Sequence, residues 1–411
     1  MKPLPAKDLC ASPTNYATPI FSSPAETNGA PWNPAPPRVL HVGKYYPPYR
    51  GGMESHLQAL CGELRKSIAV SVLVANETRR LMATEMEGVP VRRLPRWFKL
   101  RATPICPSMA REIRRAHADI VHLHLPNPLA ALAYLTSGDR APLVITWHSD
   151  IIRQRTISTL LRPIEEALLR RATALIASSP NYVDSSPVLS RNRERCRVIP
   201  YGVRLESLRP RDAETVVKIR ARYGPHIVLA VGRMVYYKGF EYLVQAMTEV
   251  RGRLLIVGEG PLRAKLERLA LRLGVRDRIT FLGRVSEEEV AAYFHAADVF
   301  AMPSTARSEA FGIAQLEAMA CGKPVVNTRL DSGVPFVSLD GVTGITVPPA
   351  DAKALAQAIN RLFDNPALAA AYGAAGMRRV RDEFSVALMA RRTLDLYREA
   401  LEPAAPAVAA L

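Results

Sequence analysis

The sequence predicts an α/β chain made of two Rossmann-like domains with a cleft between them. Two observations carry this. Short apolar strands alternate with helical stretches from residue 38 onward, and the pattern restarts near residue 226. Length agrees, since 411 residues exceed one ordinary core.

In order along the chain, residues 1–37 hold nine Pro and little periodicity, and read as a disordered extension. RVLHVG (38–43), SIAVSVLVA (67–75), DIVHLHL (119–125), PLVITWH (142–148), ATALIASS (172–179) and RVIPYGV (197–203) read as buried parallel strands. HLQALCGELRK (56–66) and PSMAREIRRAH (107–117) read as helices. In the second half, HIVLAVGR (226–233), GRLLIVGEG (252–260), RITFLG (278–283), VFAMPS (299–304), KPVVNT (323–328) and GITVPP (344–349) are the strand candidates. Helical stretches at 240–247, 261–274 and 286–297 fill the gaps. The expected domains are 38–205 and 206–385, with a hinge near 204–212 where Pro210 interrupts the pattern. Residues 386–411 supply a last helix packing back across both domains, and a tail.

Composition narrows the partners. The net charge is +17, and residues 38–205 hold 26 Lys+Arg against 13 Asp+Glu, whereas 206–411 hold 27 against 23. A basic first half favours anions such as nucleic acid, anionic lipid or phosphorylated substrates. VRRLPRWFKLR (91–101) sets Arg92, Arg93 and Arg96 beside Trp97 and Phe98, a loop suited to an anionic bilayer surface, and REIRR (111–115) adds to it. No nucleic-acid module is present, so nucleic acid is not expected as a partner. The apolar runs are too short to span a membrane, and no secretory signal is visible at the start. Cys10, Cys61, Cys106, Cys196 and Cys321 are scattered, without metal spacing, as suits a reducing compartment.

Four segments carry chemistry. In SEAFGIAQLEAMACG (308–322), Glu309 and Glu317 stand eight residues apart; with Glu309 in the loop before a helix and Glu317 two turns inside it, both look into one cleft. Ionised carboxylates only accept, which suits sugar and ribose hydroxyls. In VGRMVYYKGF, Arg233 follows a strand and Lys238 opens a helix, a metal-free setting for a diphosphate. Gly51 and Gly52 lie between a strand and a helix and admit close backbone approach. His148 ends a strand in TWHSD, next to Asp150; His122 and His124 alternate with apolar residues and read as structural. Taken singly, these patterns also fit surface charges, a plain turn or a core histidine. Gly258 and Gly260 are followed by Arg263, so the dinucleotide fingerprint fails, and no P-loop exists.

The two charged elements, about seventy residues apart and in this order, resemble the G-R-x5-K-G and E-x7-E elements of retaining nucleotide-sugar glycosyltransferases of family 4. VGEGP (257–261), the Gly-Gly loop and His148 are similar to that family as well. The resemblance covers nearly all of 38–402. It implies the GT-B fold and hexose transfer, of mannose or glucose type, with the anomeric configuration retained. It implies that Arg233 and Lys238 stabilise the leaving diphosphate without a metal or other cofactor, and that Glu309 holds the donor sugar and Glu317 the ribose. It also places Gly51, Gly52, His148 and the N–H groups of Phe311, Gly312 and Ile313 at the donor. The expected acceptor is a polyprenyl-linked or other lipid-linked glycan in bacterial polysaccharide or lipopolysaccharide assembly, met by a cytoplasmic enzyme held peripherally at the inner membrane face. A soluble acceptor, or an inactive GT-B binding module, are the alternatives.

Overall fold

The structure is a computed structural model that describes residues 35–49, 51–100, 103–150, 155–209 and 213–402. The Pro-rich extension and residues 210–212 of the expected hinge therefore lie outside the described residues, apart from 35–37.

The first half contributes β1 (Arg38–Val42), β2 (Ala69–Ala75), β3 (Met82–Met86), β4 (Val89–Leu94), β5 (Phe98–Leu100), β6 (Thr103–Ile105), β7 (Ile120–Leu125), β8 (Leu143–Trp147), β9 (Ala172–Ala177) and β10 (Cys196–Val198). Eight of these form one sheet in the order β10-β9-β8-β7-β1-β2-β4-β3, parallel except for β3 against β4, while β5 and β6 pair as a separate hairpin. β1, β7 and β8 are mainly apolar because helices cover both faces of the sheet, with buried polar exceptions such as His41, His122 and His124, and every residue of β7 and β8 is buried.

The second half adds β11 (Ile227–Val231), β12 (Arg253–Val257), β13 (Ile279–Gly283), β14 (Val299–Met302), β15 (Val325–Thr328) and β16 (Gly344–Val347). They form a parallel sheet ordered β13-β12-β11-β14-β15-β16. Strand order reverses between β1 and β7 in the first sheet and between β11 and β14 in the second. In open α/β sheets such reversals open the crevice, outside the carboxyl ends of the strands, where ligands bind. The architecture is GT-B, two Rossmann-like halves.

The chain crosses between halves near residue 200. Tyr201, Val203 and Leu208 already pack in the core of the second half, and Val203 bridges to Ser385. Arg204 is tied to Glu87 of the first half at 2.7 Å. The last helix, Val386–Leu401, then packs on the first-half helix Gly52–Leu64.

The basic segment 91–101 is not the free loop expected. Arg92 and Arg93 sit on β4. Arg93 is buried and donates to the carbonyls of Tyr46 (3.1 Å) and Pro47 (2.5 Å). Arg92 pairs with Glu112 of the downstream cluster at 2.9 Å, and Arg96 donates to the Glu77 carbonyl. Buried carbonyls need donors, so much of this charge serves the fold. Trp97 and Phe98 do stand out, at 61% and 56% exposed. Residues 101–102 lie outside the described residues. Among the described residues no helix is long and apolar enough to cross a membrane.

Candidate active site

Arg233 and Lys238 follow β11, and Glu309 follows β14, so the two charged motifs leave the strands on either side of the second sheet's reversal. Glycines let these loops close on one another. Gly239 has φ +63°, and a Cβ there would lie 2.0 Å from the Pro303 carbonyl oxygen, so only Gly lets the turn after Lys238 press against the β14 loop. Gly258 likewise approaches Gly232, where a Cβ would meet the carbonyl oxygen at 2.2 Å, and Met234 N–H donates to the Glu259 carbonyl at 2.9 Å. The VGEGP glycines thus support the Arg233 loop from behind.

The site centres on an ion pair. Lys238 Nζ lies 2.6 Å from Glu309 Oε2, with side chains 13% and 10% exposed, and Ser304 Oγ donates to the same oxygen at 3.0 Å. Burial alone would pull the Lys238 ammonium down; the charge of Glu309, the hydrogen bond to it and the charge of Glu317 outweigh it and hold its pKa above the ordinary value. Lys238 therefore stays a cation in a nearly dry place. Arg233 is exposed.

The helix Ile313–Ala320 starts at Gly312, whose φ of +79° ends the loop. Glu317 is then its fifth residue, so it stands little more than one turn inside, not two. Phe311 is buried, its ring 4.8 Å from that of Tyr201 and tilted against it. The first N–H groups of a helix have no partner within it, which leaves that of Ile313 available. Across the cleft, Gly51 caps the helix Gly52–Leu64, and a Cβ on Gly52 would stand 4.0 Å from the Ile313 side chain. The glycine loop of the first half and the helix start of the second therefore meet. Arg307 also donates to the Ser185 carbonyl across the halves at 2.9 Å.

His148 follows β8 and is buried. Both its ring nitrogens have protein partners: Nδ1 meets Tyr201 Oη at 2.7 Å and Nε2 meets His124 Nδ1 at 3.0 Å. A donor that binds His148 must displace or share one of them. Asp150 accepts from Trp147 Nε1 (3.0 Å) and Ser186 Oγ (2.8 Å), while its Oδ2 is buried without a partner. Beside Trp147 a small, mainly apolar pocket is lined by Leu125, Pro126, Ile164, Leu168 and Glu165. Burial, then the nearby Asp150 and Glu166 charges, pushes the Glu165 carboxyl up.

His41 and His56, which carried no expectation, join this group. His56 is buried with neither nitrogen bonded among the described residues. His56, His124 and His148 offer ring nitrogens within 4.8 Å of one another, as do His41, His122 and His124. Among the described residues these are the groupings with metal-ligating chemistry. The period-2 spacing of His122 and His124, in register with His41 on β1, was the available sequence signal.

A doubly wound pair of sheets with paired acids and cations after the adjacent strands β11 and β14 is the arrangement of the GT-B glycosyltransferase class. The chain matches the model for glycosyl transferases group 1 over residues 212–379 and that for glycosyltransferase family 4 over 50–207. It is 32% identical over 369 residues to the O-antigen chain mannosyltransferase C of Escherichia coli, covering 89% of this chain and 99% of that one. It is 36% identical over 352 residues to the D-rhamnosyltransferase WbpZ of Pseudomonas aeruginosa, covering 85% and 92%. The sucrose-phosphate synthase structure from Thermosynechococcus elongatus superposes with a TM-score of 0.74 at 25% identity, covering 88% and 98%. The chain belongs to the group 1, family 4 glycosyltransferases and is a hexosyltransferase.

Proposed function

We propose that this enzyme moves a mannose- or glucose-type hexose from a nucleoside-diphosphate sugar to a lipid-linked saccharide in polysaccharide or lipopolysaccharide assembly, with retention at the anomeric carbon. The observation that carries it is the buried Lys238–Glu309 pair at the second sheet's reversal, whose Glu309 lies in the same loop-to-helix segment as Ile313, which meets Gly52 of the first half. Arg233 and Lys238 stabilise the diphosphate as charge develops on it. Glu309 accepts from donor-sugar hydroxyls, Glu317 from the ribose, and the N–H groups of Phe311, Gly312 and Ile313 face the donor with Gly51 and Gly52. In the step favoured here the C1–O bond to phosphate breaks as the acceptor oxygen bonds C1 on the same face. The acceptor's proton passes to the leaving phosphate oxygen. No divalent cation is required, because the two side chains supply its charge.

Relatives named for O-antigen mannose and D-rhamnose transfer favour a membrane-linked glycan acceptor, and exposed Trp97 and Phe98 fit an enzyme docked on an anionic inner membrane face. The test is a thermal-shift panel of nucleoside diphosphates and their sugars on the full chain, followed by transfer to a polyprenyl-diphosphate saccharide. NMR of the product then reads the anomeric configuration. Stabilisation by one nucleotide series and a retained product are expected. Stabilisation by none of them, or an inverted product, overturns the reading.

A further inference from the structure

The buried histidines form a single path of hydrogen bonds. Thr146 Oγ1 meets His122 Nε2 at 2.7 Å, and His122 Nδ1 meets Tyr397 Oη at 2.6 Å. Tyr397 Oη meets His41 Nε2 at 3.2 Å, and His41 Nδ1 meets His124 Nε2 at 3.1 Å. His124 Nδ1 then meets His148 Nε2 at 3.0 Å, and His148 Nδ1 ends on Tyr201 Oη at 2.7 Å. All these rings are buried, and burial lowers the pKa of each imidazole, His41 to about 3, so they are neutral at pH 7.

A neutral imidazole has one N–H and one lone pair. Each ring here uses both nitrogens, and Tyr397 has a single O–H for its two neighbours. Every contact is made and the Tyr397 O–H is also used only if all the protons run in the same direction. Either the four histidines all carry the proton on Nε2, with Tyr201 donating at the start, or all carry it on Nδ1, with Thr146 donating. A mixed set leaves two N–H groups or two lone pairs facing each other within the His41, His124 and His148 run; where the change falls at Tyr397, it leaves either the Tyr397 O–H or one ring lone pair unbonded in a dry interior.

We infer that Tyr397 is a positioning residue, which joins His122 on one side to His41, His124 and His148 on the other and so holds His148 in one tautomer. The functional consequence rests on the reading that His148 meets the donor. The helix Val386–Leu401 would then set the proton placement of His148 from the other end of the histidine path.

The test uses the full-length protein labelled with ¹⁵N-histidine, with long-range ¹H–¹⁵N correlation at pH 7 to read each tautomer. In the wild type His41, His122, His124 and His148 should share one tautomer, favoured by about tenfold or more. Tyr397→Phe keeps the ring and removes the hydroxyl. It should break the agreement between His122 and the other three, and lower turnover by about tenfold while donor KM stays nearly constant. A hydroxyl with only a structural role would lower the melting temperature and leave the tautomers alone, and that result overturns the inference. So do opposite tautomers among the four in the wild type, a measurement that decides the matter even if the variant does not fold. His148→Ala separates the two ideas. Unchanged turnover in that variant removes the donor role of His148, and the wild-type tautomer agreement still stands or falls by itself.

Discussion

Replacing Lys238 by Ala tests the site most directly. Two losses are expected, and they are measured separately. The first is catalytic. A preorganised cation on the leaving diphosphate contributes about 2–4 kcal/mol in the transition state, so kcat should fall about 30- to 1,000-fold. The second concerns the fold. Lys238 neutralises a Glu309 carboxylate that is only 10% exposed. Removing one partner of a buried pair costs about 3–5 kcal/mol when the other is left fully dry. Ser304 still donates to Glu309, so the lower end is expected, seen as a fall in melting temperature. Adding Glu309→Gln to Lys238→Ala should restore much of the stability, because no stranded charge remains, and none of the activity. Initial rates with saturating donor, beside calorimetry of both variants, give the two readouts. If Lys238→Ala turns over within about threefold of wild type, the diphosphate assignment is wrong. If the double variant is no more stable than the single one, the electrostatic account of the pair is wrong.

Turnover should be unchanged by excess EDTA; loss that magnesium, manganese or zinc restores would return attention to the His56, His124 and His148 grouping. Stability should fall steeply in mild acid. His41 and His56 are held at about 3 in the fold against 6.5 when exposed. The unfolded chain thus binds more protons between those values, and each group costs about 1.4 kcal/mol per pH unit below 6.5. This stabilisation is complete above pH 6.5 and lost as pH falls toward 3; a melting temperature flat from pH 7 to 5 would contradict it. In liposome flotation the protein should float with anionic vesicles, and Trp97→Ala with Phe98→Ala should remove the salt-resistant part of binding. Arg93→Ser should lower stability instead, because its guanidinium holds two backbone carbonyls. Wild type that ignores anionic vesicles favours a soluble acceptor.

The strands nearest the site were legible because parallel, doubly covered strands are mainly apolar, and β1, β7, β8, β11 and β12 read that way apart from a few polar residues such as His41, His122 and His124. The charged motifs were legible because their residue types match anions and hydroxyls at fixed spacing. Distance along the chain hid the rest. Charge at Arg92 and Arg93 is visible in the sequence, but the carbonyls that take up Arg93 lie 46 and 47 residues upstream. The depth of Glu317 depends on where Gly312 turns left-handed, which composition does not mark. Tyr397 meets His122 across 275 residues, so no local pattern could join them.

The returning helix also sets an order of assembly. Val386–Leu401 is the last described helix, yet it completes the interior of the first half. During synthesis, which adds roughly 5–20 residues per second from the N-terminus, the first sheet emerges long before Tyr397 exists. Until then His41 Nε2 and His122 Nδ1 lack the hydroxyl that joins them, and the helix Gly52–Leu64 lacks its cover. The first half must therefore wait, open on one flank, while the whole nucleotide-sugar half is made. A ribosome halted before residue 386 would hold a second domain with its sheet complete beside a first domain that is not.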